Sequence, residues 1–170
     1  MFSVTVPVPE SVRERSRALR PALSGFDRIR PSRSRQLVVK RLPAETRREL
    51  LTDAERTREA LTPVDPFEVR VSGTGTFSDP PRGPGPVAYL AVESPELERV
   101  HERLVAAFDA VPGLEGPDYV PHLTLARGGP PSAAAALAEA SVEPVSFTVE
   151  ALSLYDTERT QAVDSIALTA

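Results

Sequence analysis

The sequence has no cysteine, only two histidines and a single lysine, and it contains no long hydrophobic run. Without cysteine there is no disulfide, thiolate metal ligand or thiol nucleophile, and two histidines leave little material for an imidazole-based zinc site. No metal and no cofactor is therefore expected. Nothing approaches the roughly 18 unbroken apolar residues of a membrane span. The first residues, MFSVTVPVPE, lack the basic leader and apolar run of a secretion signal. The expectation is a cytoplasmic, monomeric protein with no membrane partner. Nearly all basic residues are arginine, with Lys40 the exception, a bias of the kind that a GC-rich genome imposes. The formal charge of −4 argues against a surface that attracts nucleic acid everywhere, and leaves room for a local basic groove. What is present is ordinary for a globular chain: 170 residues, 41% hydrophobic and 26% charged, enough for one domain with a proper core.

Phe2, Val4, Val6 and Val8 alternate with smaller or polar residues and predict a strand. Val12, Ser16, Leu19 and Leu23 then fall at helical spacing, and Ser24-Gly25 stops the run. Arg35 to Leu42 reads as a second strand. A second helix opens around Pro43, with Leu50, Leu51, Ala54 and Leu61 as its buried stripe. Phe67 to Phe77 predicts a strand whose glycines mark a bulge or a close backbone approach, and the Pro-rich SDPPRGPGP follows as a surface connection. The order then restarts with the strand VAYLAVE, a helix capped by Ser94 with Pro95 in its first turn, and the strand HLTLAR. An alanine-rich helix over Ser132 to Ala140 precedes two closing strands, VSFTVEALSLY and SIALT, joined by a polar turn around Asp156 to Asp164. This order predicts an α+β fold.

Sliding the first half over the second by 86 residues brings Pro9, Glu10, Arg13 and Arg17 onto identical residues, and brings Gln36 onto His122. The match points to a single domain over 1–170 built from two pseudo-repeats, about 1–80 and 87–170.

PHLTLAR carries the chemistry. In a strand His122 and Thr124 share one face while Leu123 and Leu125 take the other. An imidazole titrating near neutrality can exchange a proton, and a hydroxyl two residues on can hold a phosphoryl oxygen beside it. Pro121 suits the strand's first position, where no ladder donor is needed. By itself the pattern also fits a hydrogen-bonded histidine at a strand edge.

With these residues in place the chain resembles the 2H phosphoesterases, the family of 2′-5′ RNA ligase-like proteins and RNA 2′,3′-cyclic phosphodiesterases. PHLTLAR resembles their second H-x-T motif, FEVRVSGTGTF and VAYLAVESPELERVHERL their mid-chain passage, and KRLP the tail of their first motif. The resemblance implies a two-lobed fold, antiparallel-rich sheets facing a central cleft with helices packed outside. It also implies metal-independent acid-base chemistry on a nucleotide or RNA-end phosphodiester, with His122 and Thr124 catalytic. Against that pattern, the first histidine is replaced by Gln36 and the first Thr or Ser by Val38. Glutamine can hydrogen-bond a phosphate and cannot shuttle a proton.

Further substrate-binding candidates are Lys40, which strict alternation places on the face of Gln36, Arg127, which needs a twist or bulge to reach the face of His122, and Tyr119, which can stack on a base or simply pack. His101 borders the buried stripe of its helix and reads as structural. Three functions stay open: a full or weakened phosphodiesterase or RNA ligase-like enzyme, a non-catalytic module binding a nucleotide or RNA end, and a structural domain that keeps His122 by inheritance.

Overall fold

The computed structural model describes residues 1–169. Its strands are β1 (Phe2–Val6), β2 (Arg28–Ile29), β3 (Leu37–Leu42), β4 (Phe67–Phe77), β5 (Val87–Glu93), β6 (His122–Arg127), β7 (Val145–Val149), β8 (Ala151–Asp156) and β9 (Gln161–Ala167). Its α-helices are α1 (Glu10–Ala18), α2 (Arg47–Ala60), α3 (Pro95–Phe108) and α4 (Pro131–Ala138). The fold is α+β, as the element order predicts. One antiparallel sheet runs β7-β4-β5-β6-β3-β1-β8-β9, with β2 pairing on β6.

The two halves of this sheet meet at one pair, Leu37 of β3 with Leu123 of β6. They are not the two halves of the chain: β4 pairs with β5 and β7, while the C-terminal β8 pairs onto β1 and carries β9 on its other edge. VSFTVEALSLY accordingly is not one strand. It splits at Glu150 into β7 on one edge and β8 on the other side of the sheet, and β9 begins already at Gln161.

Local chemistry explains most element boundaries. Ser94 caps α3 by accepting the Leu97 N–H at 3.2 Å, with Pro95 at the first helical position. A capping box between Thr46 and Glu49 starts α2 at Arg47 rather than at Pro43. That start fixes the buried face as Leu50, Asp53, Ala54 and Thr57, and leaves Leu51, expected inside, 69% exposed. Asp53 is tolerated there because its carboxylate accepts the Ala44 N–H at 3.1 Å. The predicted stripe of the first helix is buried throughout, although the α-helix ends at Ala18 and Leu23 lies in a following 3-10 turn.

Candidate functional site

The Leu37–Leu123 pair fixes the geometry of the site. In an antiparallel register the flanking residues pair crosswise, so Gln36 lies opposite Thr124 and Val38 opposite His122. Leu37 and Leu123 point into the core, and their four flanking residues line one cleft. The cleft consists of two connected cavities of about 450 and 360 Å³, sharing Arg30, Gln36, Val38, Thr124 and Arg127. Arg35, one residue from the alternative register, is buried and bonded to Ser16 Oγ and the Arg30 carbonyl, so Gln36 is the cleft residue.

Beyond the central pair each strand carries a bulge. In β3, Val38 pairs with Thr5 and Lys40 with Val4, leaving Val39 as the additional residue. In β6, Thr124 pairs with Tyr89 and Ala126 with Ala88, leaving Leu125. A bulge shifts the alternation by one. Arg127 thereby joins His122 and Thr124 in the cleft, and Arg41, not Lys40, joins Gln36 and Val38.

Lys40, expected on the cleft face with Gln36, is instead turned into the interior. It is 1% exposed, and its ammonium is bound to Glu115 at 2.8 Å and to the Arg41 carbonyl at 2.7 Å. Glu115 also accepts the Arg41 and Val111 N–H groups, both at 2.9 Å, so the carboxylate clamps the β3 bulge to the loop before β6. Tyr119 belongs to the same assembly rather than standing free to stack on a base. It borders the cleft, yet its hydroxyl donates to the Val38 carbonyl at 2.9 Å and its ring stacks on His101 at 3.7 Å. His101 accepts the Gly116 N–H at Nε2 and therefore donates from Nδ1 to the Val39 carbonyl at 2.7 Å, a structural histidine held neutral.

His122 is prepared differently. Its Nδ1 lies 2.6 Å from the Val120 carbonyl, which requires the proton on Nδ1 and leaves Nε2 as an acceptor. Burial lowers its pKa and the nearby Arg41, Arg127 and Arg30 charges add to the effect, with the Val120 bond acting in the other direction. The imidazole is thus neutral at pH 7. Phe77 and Tyr89, stacked on each other at 4.4 Å, present their rings to its edge at 5.2 and 5.4 Å. Tyr89 reaches this position because residue 75 is glycine: a Cβ there would stand 2.5 Å from the tyrosine ring.

Arg30, Arg41 and Arg127 all line the cleft, and none has a carboxylate within ion-pair distance among the described residues. Guanidinium groups left unpaired around a half-buried imidazole are suited to an anion with several oxygens. Sequence reasoning missed Arg41 and Arg30. The signal for Arg41 was the 86-residue offset, which carries it onto Arg127 and carries Val39 onto Leu125. Arg30 follows a strand of two residues that no periodicity reveals. Among the described residues no group of three or more His, Cys, Asp or Glu side chains converges as a metal site requires, and no helix is long and apolar enough to cross a membrane.

Comparison with known proteins bears on the fold and the family. No curated protein matches the sequence. Among solved structures, TT0787 of Thermus thermophilus is similar with a TM-score of 0.72 at 23% identity, over 98% of this chain and 97% of that one. E. coli LigT complexed with NADP+ gives a TM-score of 0.70 at 16% identity, over 99% and 97% of the two chains. LigT complexed with 3′-AMP gives 0.66 at 16% identity, over 99% and 98%. At these identities the likeness establishes the fold. A family model described as the 2′-5′ RNA ligase superfamily matches residues 8–161, nearly the whole chain, and the chain belongs to that superfamily.

Proposed function

We propose that the protein is a metal-independent phosphodiesterase that opens 2′,3′-cyclic phosphates, or cleaves 2′-5′ linkages, with His122 as its one proton-transferring group. The observation that carries this reading is that His122, whose Nδ1 is committed to the Val120 carbonyl, lines a cleft together with Arg30, Arg41 and Arg127. Nε2 takes the proton of a water whose oxygen forms the new bond to phosphorus. The bond from phosphorus to O2′ or O3′ breaks, and that oxygen takes a proton from solvent, because Gln36 has none to give. Thr124 and Gln36 donate to the phosphoryl oxygens, and the arginines balance the charge that develops on them. The LigT structures, complexed with ATP, NADP+ and 3′-AMP, support a nucleotide ligand for this cleft.

A second reading is favoured by one observation: Gln36 and Val38 stand where a two-sided mechanism needs a histidine and a hydroxyl. On that reading the cleft binds nucleotide ends without turnover. A pH profile of kcat/KM on 2′,3′-cyclic nucleotides separates the two. A base works deprotonated, and the pKa of His122 is lowered, so activity should rise with pH along a limb below about 6.5, the ordinary imidazole value. Binding without product at any pH selects the second reading, and a limb above that value contradicts the lowering that burial and the cleft arginines impose on His122.

A further inference from the structure

The two cavities of the cleft differ in chemistry. His122 lines the smaller one, which also has Asp79 and Asp118 in its wall. The larger one, of about 450 Å³, has neither His122 nor any carboxylate in its lining, and extends past Thr124 to Arg28, Tyr155, Thr157 and Thr160. A cavity of this size holds a whole small ligand. Its outer end is therefore space that the phosphoryl group beside His122 does not need.

Arg28 and Arg30 form part of that outer wall. The register of β2 sets Arg28 directly opposite Arg127, and like charges placed directly opposite destabilise a strand pair. The backbone holds them there all the same: the Arg30 N–H donates to the Leu125 carbonyl at 2.8 Å, and the Arg30 carbonyl accepts from Arg35 Nε at 2.9 Å. Neither Arg28 nor Arg30 has a carboxylate within ion-pair distance among the described residues.

Tyr155 of β8 brings a further donor to the same cavity. It is 7% exposed, and its hydroxyl and Ser32 Oγ are the two buried side-chain oxygens among the described residues that have no hydrogen-bond partner. The hydroxyl end lies at the cavity, because Thr160 approaches it without completing a hydrogen bond and the charge of Arg30 acts on it. Burial raises the pKa of the phenol, against the influence of Arg13, Thr160 and Arg30, so it keeps its proton at pH 7 and can donate. A buried hydroxyl without a partner is costly. The neighbouring Arg13 and Arg30 offer only donors, and the Asp156 carboxylate is turned to Arg47 and Arg159.

We propose that the outer end of the larger cavity, between Arg28, Arg30 and the Tyr155 hydroxyl, is a second oxyanion site, which takes a phosphate group other than the one beside His122. A phosphate has enough oxygens to accept from two guanidinium forks and a phenol together, where a carboxylate has only two. The phosphate can be free inorganic phosphate or a second phosphate carried by the substrate of the cleft. Only the latter source rests on the phosphodiester reading of the cleft.

Isothermal titration of the full chain with inorganic phosphate reads the site without any turnover. Arg28→Gln combined with Tyr155→Phe should weaken phosphate binding about tenfold or more, whereas His122→Ala should leave it in place. Tyr155→Phe alone should melt no lower than the parent, since it removes an unpartnered buried hydroxyl, so the lost affinity is not lost folding. The ratio of kcat/KM for a 2′,3′-cyclic nucleotide with a 5′-phosphate to the same nucleotide without it identifies the source. A ratio of about ten that falls to about one in the double variant places a substrate phosphate in the site, and a ratio near one in the parent, with phosphate binding intact, places free phosphate there. The proposal is overturned if the parent binds no phosphate, if the double variant binds it as the parent does, or if His122→Ala abolishes binding. Failure of the cleft reading looks different: no cyclic phosphate is turned over, while the phosphate titration still reports the outer site.

Discussion

Replacing Gln36 by His together with Val38 by Thr should raise cyclic phosphodiesterase activity by about 10²-fold or more. The register explains why two changes in this strand suffice. Gln36 and Val38 flank Leu37 as His122 and Thr124 flank Leu123, and Leu37 pairs with Leu123, so the new histidine and hydroxyl would complete a crosswise set on the cleft face. A histidine at 36 alone supplies an acid for the leaving oxygen and still faces a valine methyl group where the phosphoryl oxygens need a donor. Each single variant should therefore fall well short of the pair, which is the non-additivity expected of groups acting on one transition state. The check is kcat/KM on a 2′,3′-cyclic nucleotide for the parent, both singles and the pair. A folded pair with no gain would mean that this cleft does not position substrate for two-sided proton transfer.

The second large effect concerns stability. Glu115→Ala should cost about 3–5 kcal/mol, because it leaves the Lys40 ammonium in the interior without its carboxylate. It also strips the acceptor from the Val111 and Arg41 N–H groups. For a chain of this size that corresponds to a fall in Tm of roughly 6–20 °C. Lys40→Met should cost less, since Glu115 keeps both backbone donors and loses only the ion pair. Chemical denaturation of the two variants provides the comparison. An effect of Glu115→Ala within about 1 kcal/mol of the parent would show that the pair is open to water and does not clamp the bulge.

Strand and helix identity was largely legible because the apolar periods are clean and Ser94, Pro95 and the Pro-rich loop mark ends. The motif at His122, and its register against Gln36, were legible because alternation holds between the ends of a strand and the first bulge. Past a bulge it fails. Lys40 and Arg41 exchange faces at Val39, and nothing in LVVKRL distinguishes a regular strand from a bulged one, because the extra residue is as apolar as its neighbours. Arg127 was reached only by allowing for such a bulge. The pairing of β4 with β7 and of β8 with β1 was also hidden, since these sheet neighbours are chosen by nonlocal packing rather than by chain order. The partner of Lys40 lies 75 residues away, in a loop whose composition gives no sign of a buried carboxylate.

If one neutral imidazole in an arginine-lined cleft performs the phosphodiester chemistry, His122→Ala removes it. The measurement is turnover of 2′,3′-cyclic nucleotides by the parent and the variant, with Tm recorded for both. His122 is half-buried and lies on the cleft side of β6, so its truncation opens no core cavity and should barely move Tm. Activity is expected in the parent, with a loss of about 10²-fold or more in a variant that melts at the same temperature. Undiminished turnover in His122→Ala, or activity lost only in step with several kcal/mol of stability, would contradict that role of His122.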